Sequence, residues 1–262
     1  MNNPIVIQMT NVSWINGNRY IVRDVNWSVH RGQHWAIIGL NGSGKTSLLN
    51  LVNGYIWPSR GSLSVLGKKF GEYDIRDLRK KIGWVSSSLQ ERFYADETAE
   101  EIVLSGKCAT IGFYDRIYPE DSRYVSGLLK RLGCSHIAKK PYSTLSQGEK
   151  QKVLIARALI HNPEVLIFDE PCSGLDVFSR EHLLSYIANI GKGKKAPTII
   201  YVSHRIEEIL PIFTHTLLLR RGEIHSQGRT RQMLTSRNLS DFFETPVFVR
   251  WYNNTAWLRL TD

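Results

Sequence analysis

Cysteine is scarce, with Cys108, Cys134 and Cys172 the three among 262 residues. No two of them form a Cys-x-x-Cys pair, which argues against a cysteine-held metal and a disulfide framework and leaves reduced, mostly buried thiols. Long apolar runs are missing too. Stretches such as Val165-Leu166-Ile167-Phe168 fall far short of the roughly 18 residues that a membrane-spanning helix requires. The opening Met1-Asn2-Asn3-Pro4 has neither the basic nor the apolar region of a secretory leader, so the chain is expected to stay in the cytosol. Acid is the remaining shortage: 24 Asp and Glu face 34 Lys and Arg, a formal charge of +10. The excess gathers in short clusters at 76–81, 192–195 and 220–221, each suited to a solvated face or to an anionic partner such as lipid headgroups or nucleic acid. A hydrophobic share of 42% does support a well-buried core, in one large or two small domains.

The chain is organised around Gly39-Leu40-Asn41-Gly42-Ser43-Gly44-Lys45-Thr46, which fits a glycine, four free positions, then Gly-Lys-Thr. Residues 34–38 before it read as a buried strand, and residues 47–53 after it, beginning at Ser47, read as a helix stopped by Gly54. Glycines let the backbone turn so that successive N–H groups and the positive helix end point at phosphate oxygens. Lys45 then reaches the β and γ phosphates as a point charge, and the Thr46 hydroxyl can take one position on a magnesium ion. A nucleotide is the expected ligand.

Residues 5–29 alternate apolar and polar around a turn at Asn16-Gly17-Asn18, which predicts an antiparallel hairpin layer. Further strands are expected at 62–66 and 81–85. Helical periodicity then covers 97–105, 121–132 and 147–161, a helical insert. Alternating strands and helices resume at 165–168, 178–190, 198–202 and 216–219, with a short helix before Pro211. The fold class that follows is α/β, with a mostly parallel sheet, an antiparallel β layer and the helical insert at about 91–160. Residues 1–237 form the expected nucleotide-binding domain, and 238–262 a tail of unassigned role.

Val165-Leu166-Ile167-Phe168 leads directly into Asp169-Glu170, and ligands of α/β sheets sit at the carboxyl ends of strands. Asp169 can hold magnesium, directly or through water, while Glu170 can orient or deprotonate an attacking water. Leu145-Ser146-Gln147-Gly148-Glu149-Lys150-Gln151 then resembles the signature sequence of ATP-binding cassette (ABC) ATPases. The order of motifs is similar too: Lys45, Gln90 in the place of the glutamine loop, the signature, Asp169-Glu170-Pro171, the loop Ser173-Gly174-Leu175-Asp176, and His204 after a strand. The likeness covers about residues 5–230.

The resemblance implies a P-loop ATPase that binds ATP and Mg²⁺ and works as a homodimer, or as a heterodimer with a related cassette. Gly39, Leu40, Asn41, Gly42, Ser43, Gly44, Lys45, Thr46 and Ser47 would hold one chain's nucleotide, while Ser146, Gln147 and Gly148 would bind the γ-phosphate held by a second chain. Thr46, Gln90 and Asp169 would serve the metal, with Glu170, His204 and Gln90 as the catalytic set and Asp176 across the subunit interface. Ser146 is also a natural helix cap. His30, His34, His136, His161, His182, His215 and His225 are read as structural imidazoles.

Three positions depart from the family pattern. Gln147 stands where a second glycine is usual, which implies a stiffer loop. Asn16 occupies the neighbourhood of the adenine-stacking aromatic, with Trp14 and Tyr20 on either side. Pro171-Cys172-Ser173 replaces a commoner Pro-Thr-Ser and, with the signature, resembles the molybdenum-transport or photorepair-like subgroup. The function implied first is the ATP-hydrolysing subunit of a transporter, peripheral on the inner face of the cell membrane and docked on a separate transmembrane permease through the helical insert. Glu91-Arg92-Phe93-Tyr94 would line that docking surface. The alternative is a soluble ABC ATPase acting on a nucleic-acid or ribosomal complex, or a soluble assembly factor. The chain holds neither the second cassette nor the coiled coil of its common forms, so a nucleic-acid partner is not expected.

Overall fold

The computed structural model describes residues 3–86, 89, 93–108, 117–193 and 195–261, and the chain divides into two compact units, residues 1–78 with 191–262 and residues 79–190. Gln90, Glu91, Arg92 and Lys194 lie outside the described residues, as does the side chain of Cys108. In chain order the first elements are β1 (Ile5–Asn16), β2 (Arg19–His30), β3 (Trp35–Ile38), α1 (Lys45–Val52), β4 (Arg60–Val65), β5 (Lys68–Lys69) and α2 (Ile75–Lys80). Next come β6 (Ile82–Ser86), α3 (Ala99–Ser105), α4 (Pro119–Arg131), α5 (Gln147–Leu159), β7 (Val165–Asp169) and α6 (Val177–Ile190). The order is completed by β8 (Thr198–Ser203), β9 (His215–Arg220), β10 (Glu223–Arg229), α7 (Thr230–Met233), α8 (Ser236–Phe243), β11 (Val247–Tyr252) and β12 (Thr255–Leu260).

In the first unit, β2-β1-β4-β5 form the antiparallel layer that the alternation of residues 5–29 predicts. The β1–β2 turn needs Gly17, whose φ is +58°. Val6, Met9, Val25, Trp27 and Val29 are buried in this layer. The same unit holds β3 between β8 and β9, parallel to both, with β10 antiparallel beyond β9. Every residue of β3 and β8 is buried, the composition of a strand covered on both faces. Trp27 meets Trp35 edge to face at 5.7 Å between ring centroids. His34 is structural as expected. Its Nδ1 accepts from the Ile199 amide at 3.1 Å, so Nε2 carries the proton and donates to the Gly191 carbonyl at 3.1 Å. Burial pushes this imidazole below its ordinary pKa, which keeps it neutral for both bonds.

In the second unit, β6 and β7 pair in parallel, and α5 packs on β6 and on α3 and α4. Val103, Val125, Leu129, Val153 and Ile155 fill the space between these helices. Cys134 is buried and free, its thiol pushed up to about 11 by desolvation. The short helix expected before Pro211 is a single 3-10 turn, Ile206–Glu208. Phe93 and Tyr94 part company. Phe93 is half-buried, with its ring against Tyr142 at 5.8 Å and Arg157 over it at 5.6 Å, whereas Tyr94 is 58% exposed. The tail at 238–262 is ordered structure: the end of α8, then the β11–β12 hairpin turned at Asn253-Asn254, both with positive φ.

Candidate functional site

The loop 39–46 joins the end of β3 to α1, and its glycines are required by contacts as well as by conformation. A Cβ on Gly39 would lie 2.3 Å from Ser43 Oγ and 2.7 Å from the Leu219 carbonyl oxygen. Gly44 has φ +99°, and a Cβ there would come within 2.8 Å of the Ile21 carbonyl oxygen. Lys45 crosses the loop, buried, and its Nζ donates to the carbonyls of Gly39 at 2.9 Å and Leu40 at 3.2 Å. The turn is closed by Ser43 N donating to Leu40 O at 3.1 Å and fixed from the β9–β10 turn by Gly222 N donating to Ser43 O at 2.9 Å.

Two features of this loop point to an anion. Helix α1 starts at Gly44 with no side-chain cap and no acid in its first turn, so its leading N–H groups and the positive end of its dipole are left to a ligand. Among the described residues the buried Ser43 hydroxyl has no hydrogen-bond partner, a cost that a phosphate oxygen would remove. Thr46 is exposed and Ser47 half-buried in that first turn, and Leu40, Asn41 and Gly42 are accessible beside them. Ile38 pairs with Ser203, so Gly39 and His204 emerge side by side from neighbouring parallel strands. The turn bearing His204 is braced by a residue that sequence reasoning missed: the buried Glu208 carboxylate accepts from Tyr201 Oη at 2.8 Å and Ser203 Oγ at 2.7 Å. An acid followed by Ile209-Leu210, five residues beyond the strand, was the only available signal.

In the second unit Asp169 ends β7, buried, beside Ser86 of β6. Glu170 follows at φ +49°, a backbone strain that non-glycine residues hold chiefly where a site demands it. Ser146 caps α5 in a full capping box: Ser146 Oγ accepts from Glu149 N at 3.3 Å, and Glu149 Oε2 accepts from Ser146 N and Ser146 Oγ, both at 2.9 Å. Those bonds, the Ser146 amide foremost, hold the Glu149 carboxyl below its usual range. Ser146 and Gln147 remain exposed. Asp176 caps α6 in the same manner, accepting from Ser179 N at 3.0 Å and Ser179 Oγ at 2.6 Å, and Ser179 in turn faces Gly148. The signature and the Asp176 loop therefore meet within this unit.

The chain's residues 22–173 match the family model described as ABC transporter. An uncharacterized ABC transporter ATP-binding protein of Bacillus subtilis, YlmA, is 45% identical over 97% of this chain and 97% of its own length. ModF of Escherichia coli, an ABC transporter ATP-binding protein, is 34% identical over 82% of this chain and 44% of its own length, in keeping with the subgroup resemblance. Among solved structures, a putative metal-chelate type ABC transporter in an inward-facing conformation superposes with a TM-score of 0.77 at 27% identity, over 98% of this chain and 97% of that one.

Proposed function

We propose that this chain, which belongs to the ABC transporter family and is an ATP-binding, ATP-hydrolysing cassette of the P-loop α/β fold, is the motor subunit of a transporter whose permease is a separate chain. The observation that supports it most is the contrast between the Gly39–Thr46 loop, prepared for a phosphate, and the Ser146 cap, exposed to a second molecule.

On this reading Lys45 exchanges the Gly39 and Leu40 carbonyls for β- and γ-phosphate oxygens, and the amides of Gly42, Gly44, Thr46 and Ser47, with the Ser43 hydroxyl, wrap the phosphate chain. The residues suit magnesium, since the Thr46 hydroxyl and the Asp169 carboxylate are oxygen donors of the kind it takes, with Gln90 as the third carried over from the family pattern. Bound there, Mg²⁺ would supply positive charge against the negative charge that builds on the phosphates during transfer. Glu170 orients the attacking water and takes its proton, and His204 holds the water against the γ-phosphate. Ser146, Gln147 and Gly148 reach the nucleotide of a second cassette, so hydrolysis needs the dimer, with Asp176 at its interface. Of the two aromatics flanking Asn16, Tyr20 is the more exposed and lies beneath Arg23 and Arg60, which favours it as the adenine contact.

Among the described residues no helix is long and apolar enough to cross a membrane. On this reading the permease is a partner chain, and the cassette sits peripherally on the inner face of the membrane. Glu170→Gln should abolish phosphate release while ATP traps a dimer visible by gel filtration. Affinity capture of that variant from native membranes should recover the permease. Sustained hydrolysis by Glu170→Gln would move the base elsewhere, and capture free of any integral membrane protein would end the transporter reading.

A further inference from the structure

The hairpin at 247–260 has one face that the cassette's chemistry does not use. Residues directly opposite in the two strands share a face, and the register sets Phe248 across from Arg259, Arg250 from Trp257, and Tyr252 from Thr255. The other face is anchored in the first unit: Val247 and Ala256 are buried, Leu258 N donates to Glu207 Oε1 at 3.5 Å, and Arg231 lies 4.6 Å over the Trp251 ring. Five of the six side chains on the free face are exposed, Phe248 at 52%, Tyr252 at 67% and Trp257 at 51%, with Arg250 and Arg259 among them, and Thr255 is half-buried. Among the described residues none of these five side chains has a hydrogen-bonding, ionic or ring partner. The face holds three aromatics, two arginines and a threonine, with no acid and no aliphatic side chain.

We propose that this face binds single-stranded nucleic acid, with bases stacked on Phe248, Tyr252 and Trp257 and phosphates held by Arg250 and Arg259. Trp257, opposite Arg250, stands diagonally about 7–8 Å from both Phe248 and Tyr252, room for a splayed base on each aromatic of the ribbon. Unpaired guanidiniums beside aromatic faces supply the backbone charge and the stacking that sequence-tolerant single-strand binders combine. The arrangement disfavours other occupants. A face lying in a lipid headgroup layer carries its cations at the edge, whereas Arg250 sits at the centre and would be carried toward the acyl chains. A second copy docked face to face would bury four arginines with no acid on either face to pair them. This reopens the partner class that the motif order had set aside, and it does not depend on the transporter reading.

Fluorescence anisotropy of the full chain with a labelled oligothymidylate of about 12 nucleotides tests it. Tyr252→Ser and Trp257→Ser should each weaken binding by about 5- to 150-fold. The double variant Arg250→Gln with Arg259→Gln should reduce the slope of log affinity against log salt by about 1.4. Basal ATPase activity should be unchanged in all of them, because none of the altered side chains belongs to the nucleotide site. The proposal is overturned if wild type does not bind the oligomer, or if the variants bind it as tightly as wild type does. It is equally overturned if the substitutions instead abolish flotation with phosphatidylglycerol vesicles or self-association, with oligomer binding intact.

Discussion

Two helix starts in this chain are built in opposite ways. Helix α1 begins at a left-handed glycine with no cap and no acid, its one buried cation reaching back across the loop. Helix α5 begins in a complete capping box, in which the amides of Ser146 and Glu149 are each satisfied by the other's side chain. A side-chain cap is worth about 1 kcal/mol, so leaving α1 bare forgoes stability that its neighbours collect. The difference shows which end is reserved for a ligand within the chain. At α5 the Ser146 hydroxyl is shared with a carboxylate, so a second molecule's phosphate has to compete for it, and contact there should be weaker and easily reversed.

Removing the cation from the bare end has the largest expected effect. Lys45→Ala should weaken ATP binding by about 10- to 150-fold, from charge-assisted contacts worth about 1.5–3 kcal/mol, as measured by calorimetry, while α5 melts as before. Gly39→Ala comes next: its Cβ has to displace Ser43 and the Leu219 carbonyl, so both nucleotide affinity and thermal stability should fall. A matched pair then separates the two designs. Ser146→Ala should lose about 1 kcal/mol of stability by breaking the cap, with monomer ATP binding unchanged. Ser43→Ala should leave the unliganded protein as stable as before or slightly more so, since its buried hydroxyl bonds to nothing, and should lower ATP affinity.

The smallest effect concerns Glu149. Its folded carboxyl titrates below the ordinary 4.5, so its contribution is present above that pH and is lost as pH falls through the lower folded value. The protection factor for hydrogen exchange at the start of α5, which removes the intrinsic pH dependence of exchange, should therefore fall in acid. Glu149→Gln retains the box, should remove that acid sensitivity, and should tighten an ATP-held dimer severalfold by taking a negative charge away from the incoming phosphate.

Much of this was legible because the relevant signals are local. The loop 39–46, the capped signature and the carboxylates after β7 are contiguous runs whose chemistry dictates turn, cap and strand end. The helices of the second unit begin within two residues of expectation, and Ser146 announces itself as a cap, whereas periodicity alone passed over the Thr98 cap and the first-turn Pro119. The tail was not legible. Val247–Tyr252 and Thr255–Leu260 do alternate, but their buried sides contact residues such as Glu207 and Arg231, far away in sequence, and Asn253-Asn254 is a weaker turn signal than Asn-Gly. The Glu208 brace likewise depends on hydroxyls gathered only by the fold.

The central claim is that the bare end of one chain and the capped end of another make one site. Mixing Lys45→Ala with Ser146→Arg, each inactive alone, tests it directly by phosphate release. Random pairing gives mixed dimers with one intact composite site each, so about a quarter of the wild-type rate should return. No recovery above either parent, in a sample where mixed dimers are shown to form, would contradict the account.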